Sequence, residues 1–173
     1  MTSTIEATKS ACVAQHTVTT PLGELLLARS ALGLCGVWFE GQSHHPGLLA
    51  APVKKSDPLL QLAASELLNY FDGNTADFTV ALDPHGTAFQ RAVWLALRRI
   101  PRGRTSTYGD IARTINAPQA VRAVGAAIGK NPLSIMVPCH RVVGSHGNLT
   151  GYAGGLHRKQ ALLTLELANQ ETL

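Results

Sequence analysis

The chain has 173 residues, of which 45% are apolar and 15% charged, and its formal net charge is +4. This composition is that of a globular protein and excludes a disordered chain. No apolar run reaches the ~18 residues of a membrane span, and the N-terminus lacks the basic start and apolar core of a secretory signal. We therefore expect a cytoplasmic protein that has no contact with a membrane.

Charge divides the chain into two different halves. Up to His85 there are four Lys and Arg against eight Asp and Glu, and from Gly86 onward there are eleven against three. The sign changes at a segment that contains Pro and Gly, which is typical of a domain boundary, so we predict domains at residues 1–85 and 86–173. The basic second half is suited to a polyanion, although a merely solvated basic face has the same composition.

The first half has the pattern of a small α/β domain with an antiparallel sheet. Alternating apolar residues separated by turn residues are typical of an antiparallel meander of three strands. Pro58 is suited to the first turn of a helix, where its missing N–H is not needed. The predicted elements are a loose terminus at 1–13, strands at 15–19, 24–29 and 33–39, a loop at 41–55, a helix at 58–71 and a short strand at 78–80.

The second half has the pattern of a mostly helical domain. Thr87 is a suitable N-cap, as is Ser106 or Thr107, and apolar residues recur after them at helical spacing. A short turn at 116–118 joins the two central helices, and such a pair resembles a helix-turn-helix. The predicted helices are 87–99, 108–115, 118–129 and 156–169.

The helix predicted at 118–129 is rich in alanine and glycine, including Ala123 and Gly125, and it carries Arg122 as a projecting side chain. Small residues allow the backbone to approach another surface closely. That surface is either a neighbouring helix or a DNA groove that Arg122 probes. Arg91 is one of several arginines on nearby segments that are suited to contact phosphates.

One stretch of the second half interrupts an apolar run with polar residues, because Cys139, His140 and Arg141 follow Pro138. A single cysteine is commonly a small buried hydrophobe. A neighbouring His⁺ or Arg, however, lowers the pKa of a thiol and favours the nucleophilic thiolate. Adjacent residues do not usually point the same way, so we expect His140 to act on the thiol through a water.

Two further features of the second half are suited to a site around this cysteine. The glycine-rich loop at 144–155 has Tyr152 as its one large side chain, and a long loop of this kind often forms the wall of a pocket. Glu166 lies in the last predicted helix, where it is either on a solvated face or the partner of a histidine.

The other two cysteines, Cys12 and Cys35, give no metal or disulfide pattern. There is no Cys-x-x-Cys pair, and the spacing to His16, His44 and His45 matches no standard zinc site. Three cysteines without an export signal do not indicate a disulfide framework. We expect neither a metal nor a cofactor.

The segment Pro138–Val143, preceded by Asn131 and Pro132 and followed by Tyr152-x-Gly154-Gly155, resembles the O6-alkylguanine-DNA alkyltransferases, or methylated-DNA–protein-cysteine methyltransferases. The resemblance covers about residues 89–166, and before residue 85 it depends on a Thr-Pro-Leu-Gly turn and the order of the strands. It implies a ribonuclease-H-like N-terminal domain and a C-terminal domain of the winged helix-turn-helix type.

The same resemblance implies DNA repair by a single-turnover transferase. The alkyl group of O6-alkylguanine would pass to the protein's own cysteine once per molecule, without a cofactor, and O4-alkylthymine stays open as a second substrate. The partner would be double-stranded DNA, bound through its minor groove by a monomer, with the target base flipped out of the stack.

The resemblance also assigns roles to matching positions. Cys139 matches the acceptor thiolate, His140 the general base that acts through a water, and Glu166 the carboxylate that orients the histidine. Asn131 resembles the residue that holds the turn around the cysteine. Tyr108 resembles the residue that helps to rotate the nucleotide outward and can donate a proton to the leaving guanine.

Further positions match contacts to the base and to the duplex. Arg122 resembles the arginine that fills the vacated place in the base stack, and Tyr152 resembles a wall of the guanine pocket. Backbone groups expected to read the base belong to Cys139, Val142 and Ala153.

Two other classes of protein stay open from the residues alone. A DNA-binding regulator would use the helix pair and need no thiol. A thiol hydrolase would use Cys139 and His140, turn over repeatedly and need no arginines.

Overall fold

Three strands from the first half pair in the order β1-β2-β3 and form an antiparallel sheet. The structure is a computed structural model that describes residues 3–74 and 77–168. Its elements are α1 (Thr4–Ala11), β1 (Ala14–Thr20), β2 (Gly23–Arg29), β3 (Leu34–Phe39), α2 (Pro58–Phe71), α3 (Ala88–Leu97), β4 (Ser106–Thr107), α4 (Tyr108–Thr114), α5 (Val121–Gly129), a 3-10 turn (Cys139–Arg141), β5 (Val142–Val143) and α6 (Leu156–Ala168). The antiparallel meander and the helical second half agree with the sequence-based prediction.

Local capping signals explain where most helices begin. Asp57 accepts hydrogen bonds from the amides of Leu59 and Leu60 at the start of α2, which opens with Pro58. Thr87 and Thr107 form capping boxes at the starts of α3 and α4. Each reciprocal pair of hydrogen bonds satisfies two amides that a helix leaves without partners.

The prediction of a loose terminus at 1–13 is wrong, because α1 lies there. Ser3 caps this helix by accepting a hydrogen bond from the Glu6 amide. Thr8 is buried, and the Thr4 hydroxyl donates to the Gln90 side chain of α3 at 2.9 Å. Tertiary contacts therefore stabilise a helix whose one large apolar side chain is Ile5.

The strand predicted at 78–80 is absent from the described structure of that segment. The amides of Thr79 and Val80 instead donate to the two carboxylate oxygens of Glu66, at 2.8 and 3.2 Å. A side chain on α2 thus takes the hydrogen bonds that a neighbouring strand would have taken. Two residues later, Leu82 forms an isolated bridge with Leu34.

Helix α5 begins at Val121, three residues later than the predicted start at residue 118. Asn116 adopts a φ of 57° after α4, and the Ala120 amide donates to the Ala117 carbonyl at 2.9 Å, which closes a turn. The segment between α4 and α5 is therefore longer than predicted. The predicted end of α6 at residue 169 lies outside the described residues.

The outer edge of β3 supports the segment that leads to Cys139. The Val37 amide donates to the Pro132 carbonyl at 2.8 Å, and the Ser134 amide donates back to the Val37 carbonyl at 3.0 Å. Every residue of β3 is buried. The sheet of the first half thus supports the segment of the second half that leads to Cys139.

One apolar core continues from the sheet into the helices of the second half. Trp94 on α3 is buried within it, and its indole N–H donates to the Ala127 carbonyl of α5 at 2.9 Å. Across residues 3–74 and 77–168, no helix combines the length and the apolar character that crossing a bilayer requires.

Candidate active site

The stretch around Cys139 forms a buried and tightly folded turn. All residues from 131 to 143 are buried. The amide of Cys139 donates to the Val137 carbonyl at 2.8 Å, and the amide of Arg141 donates to the Pro138 carbonyl at 3.0 Å. Ile135 has a φ of 72°, a conformation that costs a β-branched residue about 1–3 kcal/mol.

The Asn131 side chain holds this turn together. Its amide nitrogen donates to the Val137 carbonyl at 2.8 Å and to the Cys139 sulfur at 3.1 Å. Its oxygen accepts from the Leu133 amide at 2.9 Å. Because one buried side chain contacts both ends of the turn and the sulfur, it fixes the position of the thiol.

Cys139 is buried, with 5% of the residue exposed. Burial raises its pKa, and the hydrogen bond from Asn131 and the positive charge of Lys159 oppose this rise without cancelling it. The resting side chain at neutral pH is therefore a thiol rather than a thiolate. A nucleophilic Cys139 consequently needs a base that accepts its proton.

The side chain of Glu166 is the centre of a buried polar network. Its Oε1 accepts from His140 Nε2 at 2.7 Å and from the Tyr70 hydroxyl at 2.7 Å. Its Oε2 accepts from Arg141 Nε at 2.9 Å and from the Gly103 amide at 3.1 Å. These contacts identify Glu166 as the partner of His140 rather than as part of a solvated face.

The network determines the protonation of both groups. Burial alone raises the pKa of Glu166, but the hydrogen bonds from His140 and Arg141 outweigh it and hold that pKa well below its ordinary range. Burial lowers the pKa of His140, although the carboxylate opposes the shift. The pair therefore consists of an ionised Glu166 and a neutral His140 whose Nε2–H donates to the carboxylate.

The other nitrogen of His140, Nδ1, is buried and accepts no hydrogen bond from any group in the described part of the chain. In the tautomer that donates from Nε2, this nitrogen carries the free lone pair. No direct hydrogen bond joins His140 to the Cys139 sulfur, whose side-chain partner is Asn131. His140 is thus suited to take up a proton from the thiol through a bridging water.

A cavity of about 250 Å³ opens above Cys139. Of the predicted site residues it brings together Cys139, Tyr108, Gly125, Tyr152 and Ala153. Burial raises the pKa of Tyr152 well above its ordinary value, so this side chain is a neutral wall of the cavity. The remaining predicted residues do not line it. The interior holds His140, Glu166, Asn131 and Val142, whereas the exposed surface carries Arg122, Ala123 and Arg91.

Two residues of the first half also line the cavity, Ser43 and His44. The Ser43 amide donates to the Ala153 carbonyl at 2.9 Å, which joins the predicted 41–55 loop to the glycine-rich loop. Neither residue is predicted from the sequence as part of the site. The only local signal was the histidine content of the loop, which does not indicate a position in space.

Lys159 is a third residue at the site that the sequence does not predict. It is fully buried on α6, and its ammonium donates to the carbonyls of Val142, Thr150 and Gly151, the last two at 2.8 and 3.2 Å. The Tyr108 hydroxyl also donates to the Thr150 carbonyl, at 3.0 Å. Lys159 therefore fixes the loop that carries one side of the cavity.

The exposed face of α5 adjoins the mouth of the cavity. Arg122, Gly125 and Gly129 are three to four residues apart and share one helix face, and the two glycines line the cavity. Arg122 and Ala123 are exposed. Arg91 lies on the exposed surface of α3, where its guanidinium donates to the Gly86 carbonyl.

The His140–Glu166 pair predicts a pH dependence of stability. Because the pKa of His140 is lowered in the folded protein, the unfolded chain binds a proton there first as the pH falls below ~6.5. We expect the free energy of unfolding to fall between about pH 7.5 and about pH 5.5, and we expect a His140→Gln variant to lose part of this slope. Glu166 adds a further loss only below the ordinary carboxyl pKa of ~4.3.

Denaturant titrations at the two pH values measure this slope. The matched control is His157→Gln, because His157 is exposed, and it should keep the slope of the parent protein. An unchanged slope in His140→Gln would contradict the proposed neutral state of His140.

Comparisons with known proteins give a consistent result over both halves. Residues 13–84 match the model of the 6-O-methylguanine DNA methyltransferase ribonuclease-like domain, and residues 88–168 match the model of the DNA binding domain of the same family. The methylated-DNA–protein-cysteine methyltransferase of Mycolicibacterium paratuberculosis is 47% identical over 154 residues, which cover 87% of this chain and 90% of the relative. The Haemophilus influenzae protein of the same name is 44% identical and covers 84% of this chain and 82% of its own.

Solved structures give the same result. The O6-methylguanine methyltransferase of Mycobacterium tuberculosis superposes with a TM-score of 0.83 at 44% identity, covering 90% of this chain and 93% of its own. A structure of the Mycobacterium tuberculosis protein in complex with DNA has a TM-score of 0.82 at 45% identity, with coverages of 91% and 94%.

Proposed function

Because the chain belongs to the methylated-DNA–protein-cysteine methyltransferase family, we propose that Cys139 is the residue that accepts the alkyl group. The protein repairs DNA by transferring an alkyl group from the O6 position of guanine to its own cysteine. The observation that carries the assignment is the position of Cys139 at the cavity, held by Asn131. Cys35, in contrast, is buried in a separate cluster with Ala28 and Trp38.

His140 and Glu166 activate the thiol in this proposal. The lone pair of His140 Nδ1 takes the thiol proton through a water, and Glu166 stabilises the imidazolium that forms. Arg141 donates to both carboxylate oxygens of Glu166, from Nε to Oε2 and from Nη2 to Oε1 at 2.9 Å each, and so keeps the carboxylate ionised while the proton moves. The resulting thiolate is the nucleophile.

The transfer itself is a displacement at the alkyl carbon. The thiolate electron pair forms the new sulfur–carbon bond, the carbon–O6 bond breaks, and its electrons remain on the guanine. The Tyr108 hydroxyl lines the cavity and donates to the Thr150 carbonyl; when the substrate base is bound, it exchanges that hydrogen bond for one to the leaving base and offsets the charge that develops there. The thioether product has no step that restores the thiol, so each molecule reacts once.

The substrate base must leave the duplex to reach the cavity. Extrusion of a nucleotide costs a few kcal/mol, and the small residues of α5 are suited to a close approach to the minor groove. Arg122 fills the vacated place in the base stack, and Arg91 contacts a phosphate. The support for this arrangement is the shared helix face of Arg122 and the cavity-lining Gly125.

Replacement of Arg122 tests this role. We expect Arg122→Ala to slow the repair of duplex DNA by about 10-fold or more, because the extruded state loses its stacking partner. Reaction with free O6-benzylguanine, which needs no extrusion, should keep its parental rate. The matched control is Arg98→Ala, since Arg98 is exposed but lines a different cavity with Tyr70 and Met136; equal losses in both variants would contradict the role.

Several finer points of the assignment belong to the same proposal. The domain boundary lies between residues 85 and 86, which agrees with family matches that end at 84 and resume at 88. The first domain is ribonuclease-H-like, and the second is a winged helix-turn-helix in which α4 and α5 adjoin the short β4–β5 pair. We propose that the protein acts as a monomer, and its cytoplasmic location stays a prediction.

Stoichiometry tests the proposed function. The protein is titrated with duplex DNA that carries a radiolabelled O6-methylguanine, and protein-bound label is counted. We expect the label to stop at one methyl per protein at any excess of DNA. Repeated turnover with release of the label would support a thiol hydrolase, and lesion binding without transfer would support a regulator; either result would contradict the proposal.

A further inference from the structure

The two cysteines outside the cavity lie in contact with each other. The sulfur atoms of Cys12 and Cys35 are 3.6 Å apart, and both side chains are free thiols. Cys12 directly follows α1 and serves as its C-cap, whereas Cys35 is the second residue of β3. The contact therefore joins α1 to the central support of the first half.

The two thiols have different surroundings. Cys12 is half-buried, and its sulfur also donates to the Thr8 carbonyl at 3.1 Å. Cys35 is fully buried, and its one S–H proton can be donated either to the Ala28 carbonyl at 3.5 Å or to the Cys12 sulfur. A reagent that arrives from solvent consequently reaches Cys12 before it reaches Cys35.

The contact between the two thiols also shifts their pKa values in opposite directions. The hydrogen bond with Cys35 lowers the pKa of Cys12, although burial opposes this shift. The same contact and burial raise the pKa of Cys35 well above its ordinary value. The accessible sulfur is thus the one that ionises more readily, which is the arrangement of an attacking thiol beside a resolving thiol.

We propose that Cys12 and Cys35 form a dithiol site that a peroxide converts into a disulfide. The Cys12 thiolate attacks one peroxide oxygen, the O–O bond breaks, and the sulfur becomes a sulfenic acid while the other oxygen leaves as hydroxide or alkoxide and takes up a proton. The Cys35 thiol then attacks that sulfur, the S–S bond forms, and water leaves with the Cys35 proton. Two thiols are oxidised and one peroxide is reduced.

The geometry favours this reaction at little structural cost. A disulfide requires the sulfur atoms to approach to about 2.05 Å, which is a shift of about 1.5 Å from the observed contact. Cys35 is fixed within the sheet, whereas Cys12 lies between α1 and β1 and belongs to neither element. The movement therefore falls on the α1 side.

The cross-link would fasten α1 onto β3. The same helix contacts α3 of the second half through the bond between Thr4 and Gln90, and β3 pairs with the segment that leads to Cys139. Closing the loop between residues 12 and 35 restricts the unfolded chain. The disulfide therefore stabilises the protein against unfolding while Cys139 stays a free thiol.

Mass spectrometry of a Cys139→Ser protein treated with hydrogen peroxide tests the site, because the third thiol is then absent. We expect a loss of about 2 Da, a peptide pair joined through Cys12 and Cys35, and a rise in Tm of about 5 °C. Dithiothreitol should reverse all three changes. Addition of oxygen to Cys12 without a cross-link, or no change in mass, would overturn the proposal.

Matched variants complete the experiment. Cys12→Ser and Cys35→Ser, each in the Cys139→Ser background, should both fail to lose 2 Da, since either sulfur alone cannot close the bond. In the background that retains Cys139, the same two variants should transfer alkyl groups at the parental rate. The dithiol site does not depend on the proposed acceptor, so its failure and that of the transfer assignment are separate results.

Discussion

Replacing Cys139 with serine is expected to reduce alkyl transfer by about 10⁴-fold or more, with duplex binding held within about two-fold. A serine hydroxyl is far less acidic than a thiol, and the His140–Glu166 pair acts on protons rather than on carbon. The change removes no phosphate contact, and the Asn131 amide that donates to the sulfur at 3.1 Å can donate to a hydroxyl oxygen. We therefore expect the serine variant to lose alkyl transfer but to keep its affinity for the duplex.

Two assays on the same preparation check this separation. Single-turnover transfer is measured with a methylated duplex, and equilibrium binding is measured by fluorescence anisotropy with the same duplex. A melting curve controls for folding. A serine variant that still accepts an alkyl group would show that another residue is the acceptor, whereas a joint loss of binding and transfer in a folded protein would show that the sulfur has a different role.

Replacing Glu166 with glutamine is expected to have the largest effect on stability, a loss of about 3–5 kcal/mol. Glu166 is fully buried, and Arg141 is 9% exposed, so the neutral amide leaves a guanidinium without its counter-charge. The amide group also places N–H donors where His140, Tyr70 and Arg141 already donate. Donors facing donors cannot form the hydrogen bonds that the carboxylate accepts.

The same substitution should slow transfer by about 100-fold at a temperature where the variant remains folded. Without the carboxylate, the imidazolium that His140 must become is no longer stabilised. The matched control is Glu66→Gln, because the Glu66 carboxylate lies at the surface and accepts from the amides of Thr79 and Val80. Its loss of stability should stay below about 1.5 kcal/mol, with an unchanged transfer rate.

Denaturant unfolding and single-turnover kinetics on both variants measure these effects. A Glu166→Gln protein as stable as the parent would mean that Arg141 finds another counter-charge in the folded state. A normal transfer rate in that protein would mean that His140 does not act as the base.

The elements that sequence predicts correctly are those with short-range signals. Pro58 and the caps at Thr87 and Thr107 act within three residues of their own position, so the sequence contains the whole determinant. The strands of the meander likewise follow from alternation and turn residues. Helix α1 has a local cap at Ser3, but Ile5 is its one large apolar side chain and part of its support comes from Gln90, far along the chain.

The misread strand at 78–80 has the same explanation. The amides of that segment donate to Glu66, which precedes them by more than ten residues. The β-propensity of the segment alone does not predict that a side chain, rather than a neighbouring strand, accepts these hydrogen bonds. The late start of α5 at Val121 depends on the left-handed conformation of Asn116, which asparagine adopts readily but does not require.

The residues of the candidate site also differ in whether the sequence predicts them. Cys139 and His140 are adjacent and stand out as polar residues within an apolar run. The residues alone leave Glu166 either on a solvated face or beside a histidine, and the resemblance to the family favours the second alternative. Lys159 and the pair Ser43 and His44 were not predictable, because their positions at the cavity arise only when loops from distant parts of the chain meet. The contact between Cys12 and Cys35 was hidden for the same reason.

The central claim is that a guanine O6-alkyl group ends on the sulfur of Cys139, and a peptide map tests it most directly. The protein is incubated with duplex DNA that carries O6-methylguanine, its intact mass is measured, and the digest is sequenced by tandem mass spectrometry. We predict one added methyl, confined to Cys139, with Cys12 and Cys35 unmodified. A methyl on either of those cysteines, or on none of the three, would contradict the assignment.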